Sequence, residues 1–344
     1  MSSPTAQNAP DPGVFAQLLM LSRGYAPAAC LHEAAKLKIA DLLATGPRPV
    51  AELSGARGVN EDALYRILRA LSSVNVFRET APRVFANTPL SEGIRSDAAN
   101  SARDAVLFMA DSLHMSVYAE LGHTVETGET AFKKVSGMDP SEFYRQKTEE
   151  NKAFNAAMTS ISAQFILPVI EVYDFGESGT LADVGGGQGA LLATILGKHR
   201  GLHGIVFDLP HVVEGAKARM AAAGLEPRCE IVGGDFFKGV PPADSYVMKS
   251  IIHDWNDDRA AAILRNCAAA MRRQNGKVIL LEMLVAPDNE PGIAKWIDIE
   301  MLAIAGGRER TETEYAELLG KAGLRLARVV RTPSPIAVIE AVKA

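Results

Sequence analysis

Two stretches of this sequence hold residues whose types and order could do chemistry. The first is Asp183-Val184-Gly185-Gly186-Gly187-Gln188-Gly189-Ala190-Leu191, set between the apolar run Thr180-Leu181-Ala182 and a helix-like stretch from Leu191 to Lys198. Glycines are needed where the backbone takes positive φ or comes very close to a ligand. The helix N-terminus behind them offers free N–H groups and the positive end of a dipole. Together they can cradle a nucleotide or an anionic group such as a carboxylate. The second stretch is Lys249-Ser250-Ile251-Ile252-His253-Asp254-Trp255, whose histidine titrates near working pH and could act as a base. Dinucleotide-binding proteins also use glycine turns. The segment Gly185–Ala190 fits their Gly-x-Gly-x-x-Gly spacing poorly, which counts against a nicotinamide oxidoreductase.

These stretches need a scaffold. From about Phe165 onward, apolar runs at Leu181–Val184, Gly204–Phe207, Cys229–Val232, Ser245–Met248, Val278–Glu282, Leu324–Val330 and Ile336–Ala341 alternate with helical stretches that include Val212–Ala223, Asp258–Arg273 and Glu312–Ala322. That alternation predicts a mostly parallel sheet with helices on both faces. Residues 331–335 are too few for a crossover helix, so the last two runs form an antiparallel hairpin. In open α/β sheets the ligand lies beyond the carboxyl ends of the strands. Those ends carry Asp183 with the glycine turn, then Phe207-Asp208-Leu209-Pro210, then Gly233-Gly234-Asp235-Phe236-Phe237, then the His253 stretch. An acid at the second end can accept hydrogen bonds from ribose hydroxyls. One at the third can accept from an exocyclic amine, with Phe236 offering a face to adenine.

The preceding half reads as helical. Leu31, Ala34, Ala35, Ile39, Leu42 and Leu43 share one face of an amphipathic helix that Thr45-Gly46-Pro47 ends. Val50 to Val76 reads as helix-turn-helix, and Phe77-Arg78-Glu79 with Val84-Phe85-Ala86 as a short hairpin around Pro82, a winged-helix pattern. A winged helix invites a DNA-binding reading. Its recognition segment, however, opens with Glu61 and Asp62, which would face phosphates badly.

The motifs Asp-Val-Gly-Gly-Gly-x-Gly, Phe-Asp-Leu-Pro, Gly-Gly-Asp-Phe-Phe, Lys-x-x-x-His-Asp-Trp and Gly-Gly-Arg-Glu-Arg-Thr occur here in one order. On them the sequence resembles the S-adenosylmethionine-dependent O-methyltransferases of the caffeic-acid, hydroxyindole and bacterial antibiotic-tailoring type, over nearly all of residues 14–344. Singly the motifs are weak to moderate; five in order are highly specific. The resemblance implies an α/β fold, a Rossmann-like methyltransferase sheet with a C-terminal antiparallel hairpin, preceded by a mainly helical winged-helix domain. It implies a winged-helix dimerisation domain over 13–100, a helical linker and acceptor segment over 101–165 and a catalytic domain over 166–344, while the polar, proline-bearing residues 1–12 read as a flexible tail. It also implies S-adenosyl-L-methionine as cofactor. Asp183, Gly185 and Gly187 would approach its methionine part, Asp208 its ribose, and Asp235 and Phe236 its adenine; Leu209, Lys249 and Trp255 would line the same pocket. Asp183 reads equally as an acid that only fixes the turn.

Methyl transfer from a sulfonium to a phenolic oxygen is an in-line displacement that requires alignment and removal of the phenol proton. The resemblance places the base on His253. It offers Glu282, at the end of a buried strand, and Glu309, in Gly306-Gly307-Arg308-Glu309-Arg310, as orienting partners. An acid at the end of an apolar strand is costly unless partnered. Asp254 adjoins the histidine and could compete as its partner, but the helix it precedes, with Asn256-Asp257-Asp258, suggests that it caps that helix instead. The other histidines read as surface or packing residues, with His114 the one that could border the acceptor. Met158, Phe154, Met109 and Met301 are the expected acceptor-lining residues, with Phe108 and Ile304 beside them. They suit an apolar, planar molecule.

Bulk features exclude other classes. The chain has 344 residues and 47% hydrophobic content, enough for a substantial core. A net charge of −5 without a basic block makes nonspecific nucleic-acid binding an unsuitable function. Cys30, Cys229 and Cys267 are far apart, which fits a reducing cytoplasm and offers no disulfide framework. No apolar run of membrane-span length is read, and no metal site, since the acids are assigned elsewhere. The resemblance also implies a homodimer, for which the apolar helical face of residues 14–43 could supply the interface. Two alternatives stay open: a relative that binds the cofactor but performs another tailoring reaction, and a non-enzymatic winged-helix regulator, which salt-sensitive DNA binding would reveal.

Overall fold

A computed structural model describes residues 12–176 and 179–344, so most of the expected N-terminal tail lies outside the described residues. The chain forms two compact units. The first gathers the chain up to Ala119 together with Tyr144–Ala163; the second holds Glu120–Phe143 and Gln164–Ala344. The stretch 101–165 is thus divided between them.

In the first unit, helices span Pro12–Leu21, Tyr25–Lys36 and Ile39–Leu42. The apolar face expected to lie on one helix is broken at Lys38, which takes a left-handed φ of 51°. Ala34, Ala35, Ile39, Ala40 and Leu43 are nonetheless buried in one core. The helix-turn-helix is present as Val50–Arg57 and Glu61–Ser72. Asn60 caps the second helix, its side chain accepting from Ala63 N at 2.9 Å. Leu64, Leu68 and Leu71, at spacings of four and three, point into the core against Phe77 and Phe85. Strand β1 (Arg48–Pro49) pairs antiparallel with β3 (Val84–Asn87), which also pairs with β2 (Phe77–Ala81). The two-residue β1 has no period to detect and escapes sequence reading. Glu61 binds Arg83 at 2.7 Å, and Arg83 and Arg69 stack on Tyr65 at 4.3 and 5.2 Å. Arg83 is therefore engaged within the domain.

The second unit is built on a seven-stranded sheet of β4 (Gly179–Val184), β5 (Leu202–Asp208), β6 (Cys229–Gly233), β7 (Ser245–Lys249), β8 (Lys277–Met283), β9 (Leu324–Val330) and β10 (Ile336–Lys343). Its order is β6-β5-β4-β7-β8-β10-β9. The first five strands are parallel, and β10 runs antiparallel to both β8 and β9. All seven expected strands are there, and the terminal hairpin inserts its second strand into the sheet. Strand alternation feeds two cores: Ala182 and Val184 face one, Leu181 and Val206 the other. Helices Ala190–Lys198, Glu214–Ala222, Asp257–Ala270 and Glu312–Lys321 cover the faces.

The expectation that nothing here has the length of a membrane span needs correction. The helix Thr148–Val172 is long and apolar enough, by length and composition, to cross a membrane. Threonine, serine, glutamine and asparagine interrupt its apolar residues, so no continuous run appears in the sequence. Near its end Ile166, Val169 and Ile170 are buried with Tyr173 and Leu191 in the sheet core.

Candidate functional site

Beyond the carboxyl ends of the parallel strands, the glycine turn leaves β4 and enters the helix Ala190–Lys198. Gly185 has φ 73°, and a Cβ there would lie 2.5 Å from Ile251 Cδ1; a Cβ on Gly186 would meet the Asp183 carboxyl at 2.8 Å. The turn is therefore as close to its surroundings as backbone allows. Asp183 is buried beneath it, with Oδ2 lacking any hydrogen-bond partner. Burial pushes its pKa up to about 7, against the pull of Lys249. At the end of β5, Asp208 accepts from Gly187 N at 2.9 Å through Oδ2 and from Leu209 N at 2.7 Å through Oδ1. Asp208 thus fixes the glycine turn from the next strand. After β6, Asp235 accepts from Phe237 N at 2.9 Å. Phe236 and Phe237 meet Trp255 edge to face at 6.1 and 4.8 Å, and Arg259 stacks over both Phe237 and Trp255 at 4.3 Å. Asn266 holds the carbonyls of Phe236 and Phe237 at 2.7 and 3.2 Å. Lys249 ends β7; burial lowers its pKa while Glu282, Asp183 and Asp254 act the other way.

After β7 the chain turns sharply at Ser250, a non-glycine residue with φ 52°, into the short helix Ile252–Asp254. Strain of this kind is stored where surrounding structure over-determines it. Glu282 supplies part of that restraint: its Oε1 accepts from Ile251 N at 3.1 Å and Ile252 N at 2.9 Å. His253 Nδ1 lies 2.6 Å from Glu309 Oε1, 3.9 Å from Glu282 Oε2, and its Nε2 lies 3.4 Å from Asp254 Oδ1. A carboxylate only accepts, so the bond to Glu309 puts a proton on Nδ1. Burial opposes charge on the ring, but Glu282, Asp254 and Glu309 together push it up to about 10. Asp254 is not the helix cap; Asn256 is, accepting from Arg259 N at 3.1 Å.

Glu309 reaches His253 from a distant loop whose course is tightly fixed. A π-helical segment, Met301–Ala305, precedes Gly306, a device found often at functional sites. A Cβ on Gly307 would lie 2.0 Å from the His253 carbonyl, and Arg308 N donates to that same carbonyl at 2.8 Å. Asp298 accepts from Glu309 N at 2.8 Å. Arg310, fully buried, donates to the carbonyls of Ile252 at 3.3 Å and Trp255 at 2.8 Å and pairs with Asp257 at 3.0 Å. Sequence reading missed Asp298, Arg310 and Asn266. Asp298 left a trace, an acid within the apolar run Trp296-Ile297-Asp298-Ile299, and Arg310 falls inside the Gly-Gly-Arg-Glu-Arg-Thr motif without any sign of its burial.

Residues 118–325 match the O-methyltransferase domain, and residues 19–94 match the O-methyltransferase dimerisation domain. The chain belongs to the O-methyltransferase family. It is similar to the phenazine O-methyltransferase of Lysobacter antibioticus, 39% identical over 325 residues that cover 94% of this chain and 95% of that one. The solved structure of CalO1, a methyltransferase in calicheamicin biosynthesis in its SAH-bound form, superposes with a TM-score of 0.88 at 35% identity, covering 98% and 100% of the two chains. NcsB1, an O-methyltransferase from neocarzinostatin biosynthesis solved with S-adenosylmethionine and 2-hydroxy-5-methyl naphthoic acid, gives a TM-score of 0.79 at 31% identity over 93% and 96%. The methyl donor of this O-methyltransferase family is S-adenosyl-L-methionine. The strand-end residues fit such a group: a buried Asp183 oxygen without a partner, a turn with no room for a Cβ at Gly185 or Gly186, and acids at the next two strand ends.

The expected acceptor residues are divided between the units. In the first, Phe154 stacks on Tyr144 at 4.7 Å and meets Phe108 edge to face at 5.6 Å, while Phe108 meets His114 at 4.5 Å. Met158 is half-buried and Met109 exposed. His114 is buried, 3.0 Å from Asp111. In the second unit Met301 opens the π-helical segment and is half-buried.

Proposed function

We propose that this O-methyltransferase transfers a methyl group to a hydroxyl of a small aromatic acceptor, phenolic or polycyclic, with His253 as general base oriented by Glu309. The observation that carries this reading is the 2.6 Å contact between His253 Nδ1 and Glu309 Oε1. It fixes the ring and leaves Nε2 as the nitrogen that takes the acceptor's proton. Glu282 acts through the backbone, holding the amides of Ile251 and Ile252 so that His253 leaves the strand in a fixed direction. Asp183, Gly185 and Gly187 would hold the methionine part of the donor, Asp208 and Leu209 its ribose, and Asp235 and Phe236 its adenine, with Lys249 and Trp255 beside them. When bound, that group supplies an electrophilic methyl on a sulfonium that is already a good leaving group. The protein's own tasks are then alignment and proton removal. Met109, Phe154, Met158 and Met301 are proposed acceptor contacts on side-chain chemistry alone.

We further infer a homodimer through the N-terminal helices. Val14, Phe15, Leu18, Leu19, Met20 and Leu21 lie exposed on the helix Pro12–Leu21, an apolar surface that a second copy would cover. Widely separated free cysteines suit action in the cytoplasm.

The base reading has a pH signature. A base works only when unprotonated, and the carboxylates around His253 push its pKa up to about 10. Therefore kcat/KM for the free enzyme climbs as pH rises from neutrality toward 10. The check is a pH–rate profile at saturating donor; a profile flat across that range contradicts the reading.

A further inference from the structure

We propose that His253, Glu282 and Glu309 also form a binding site for a zinc-like divalent cation, which inhibits the enzyme by holding the proton of His253 on the wrong nitrogen. One ligand atom from each of the three residues comes together within 4.8 Å. Glu282 Oε1 is engaged by two backbone amides, but its Oε2, 3.9 Å from His253 Nδ1, has no hydrogen-bond partner. Glu309 Oε2 likewise has none, and both side chains are fully buried. Buried carboxylate oxygens without partners are costly, and a cation seated among them answers both.

The donor set decides which cation. One imidazole nitrogen and two carboxylate oxygens are ligand types that zinc accepts, and three protein ligands is the number an open zinc site uses. Magnesium and calcium favour oxygen-only shells. Ligand atoms about 2.1 Å from a tetrahedral ion lie about 3.4 Å from one another; Nδ1 lies 3.9 Å from Glu282 Oε2 and 2.6 Å from the Glu309 oxygen it hydrogen-bonds, so an ion seated there replaces that hydrogen bond and the three groups close in or spread by about an ångström around it. A metal on Nδ1 displaces the proton from that nitrogen and leaves the ring's proton on Nε2. Asp254 Oδ1, 3.4 Å away, can accept it, as outer carboxylates commonly do for metal-bound histidines. An Nε2 that already carries a proton cannot take one from the acceptor. The inhibition rests on His253 being the base; the binding does not.

Calorimetric titration of tag-free, chelator-treated protein with zinc chloride separates the two. One ion per chain is expected, with affinity reduced by at least about 10–100-fold in Glu282→Gln. Cobalt(II) added to the unaltered protein should give the intense visible band of a four- or five-coordinate site. Zinc should also block methyl transfer, and EDTA restore it. No stoichiometric binding, a weak six-coordinate cobalt spectrum, or unchanged affinity in both Glu282→Gln and His253→Gln overturns the site. Zinc bound with His253-dependent affinity yet leaving turnover intact overturns the tautomer argument, and the base assignment with it.

Discussion

Replacing His253 with Gln lowers turnover by about 10²–10⁴, the range a general base contributes, while affinity for S-adenosylhomocysteine stays nearly unchanged. Glutamine has comparable reach and can still donate to Glu309, so the segment around it keeps its course. It cannot accept a proton. The cofactor-side residues Asp183, Asp208 and Asp235 sit on other strand ends, and none is altered. Steady-state kinetics with calorimetric binding of S-adenosylhomocysteine checks both halves. Near-normal turnover would leave catalysis by alignment alone.

Arg310→Met is the second large effect. The guanidinium is fully buried and bonds the carbonyls of Ile252 and Trp255 on either side of His253, as well as that of Arg308 and the Asp257 carboxylate. Methionine fills similar length without a donor, which strands those carbonyls. Asp257 keeps Lys321 at 2.8 Å, so the loss is smaller than for a fully enclosed pair. A destabilisation of about 2–4 kcal/mol is expected. Turnover should fall by roughly 10-fold or more, because a small displacement of a catalytic group is costly. Urea unfolding and kcat on the same preparation test this. An unchanged midpoint with unchanged kcat would show that Arg310 does not position the base.

The sheet was legible because its strands are short apolar runs bounded by glycine and acid-bearing turns, and because ligand-facing residues follow each strand directly in sequence. Asp183, Asp208, Asp235 and the His253 segment could be read in order for that reason. For His253 the resemblance offers both Glu282 and Glu309 as partners, and the residues alone do not choose between them. Glu309 comes from a loop 56 residues away, and its approach depends on the close passage of Gly307 against the His253 carbonyl, a contact without local signature. Asp254 was misread as a cap because Asx residues cluster there; the cap is Asn256. Lys38 breaks a helix whose apolar spacing runs straight through it, since periodicity does not register one left-handed residue. Arg310 lies inside a recognisable motif, but nothing in that motif tells that its charge is buried. The proximity of Glu282, Glu309 and His253, which raises the question of a cation, exists only once three distant segments meet.

The most direct test of the base assignment compares unaltered enzyme with His253→Gln on a series of phenolic acceptors of similar shape and falling pKa. An ordinary phenol, with pKa about 10, reaches the enzyme neutral and needs a base. One acidified by electron-withdrawing groups arrives largely ionised and does not. The account predicts that the rate ratio between unaltered and substituted enzyme is large for the least acidic acceptors and shrinks steadily as acceptor pKa falls. A ratio that stays constant across the series would contradict it.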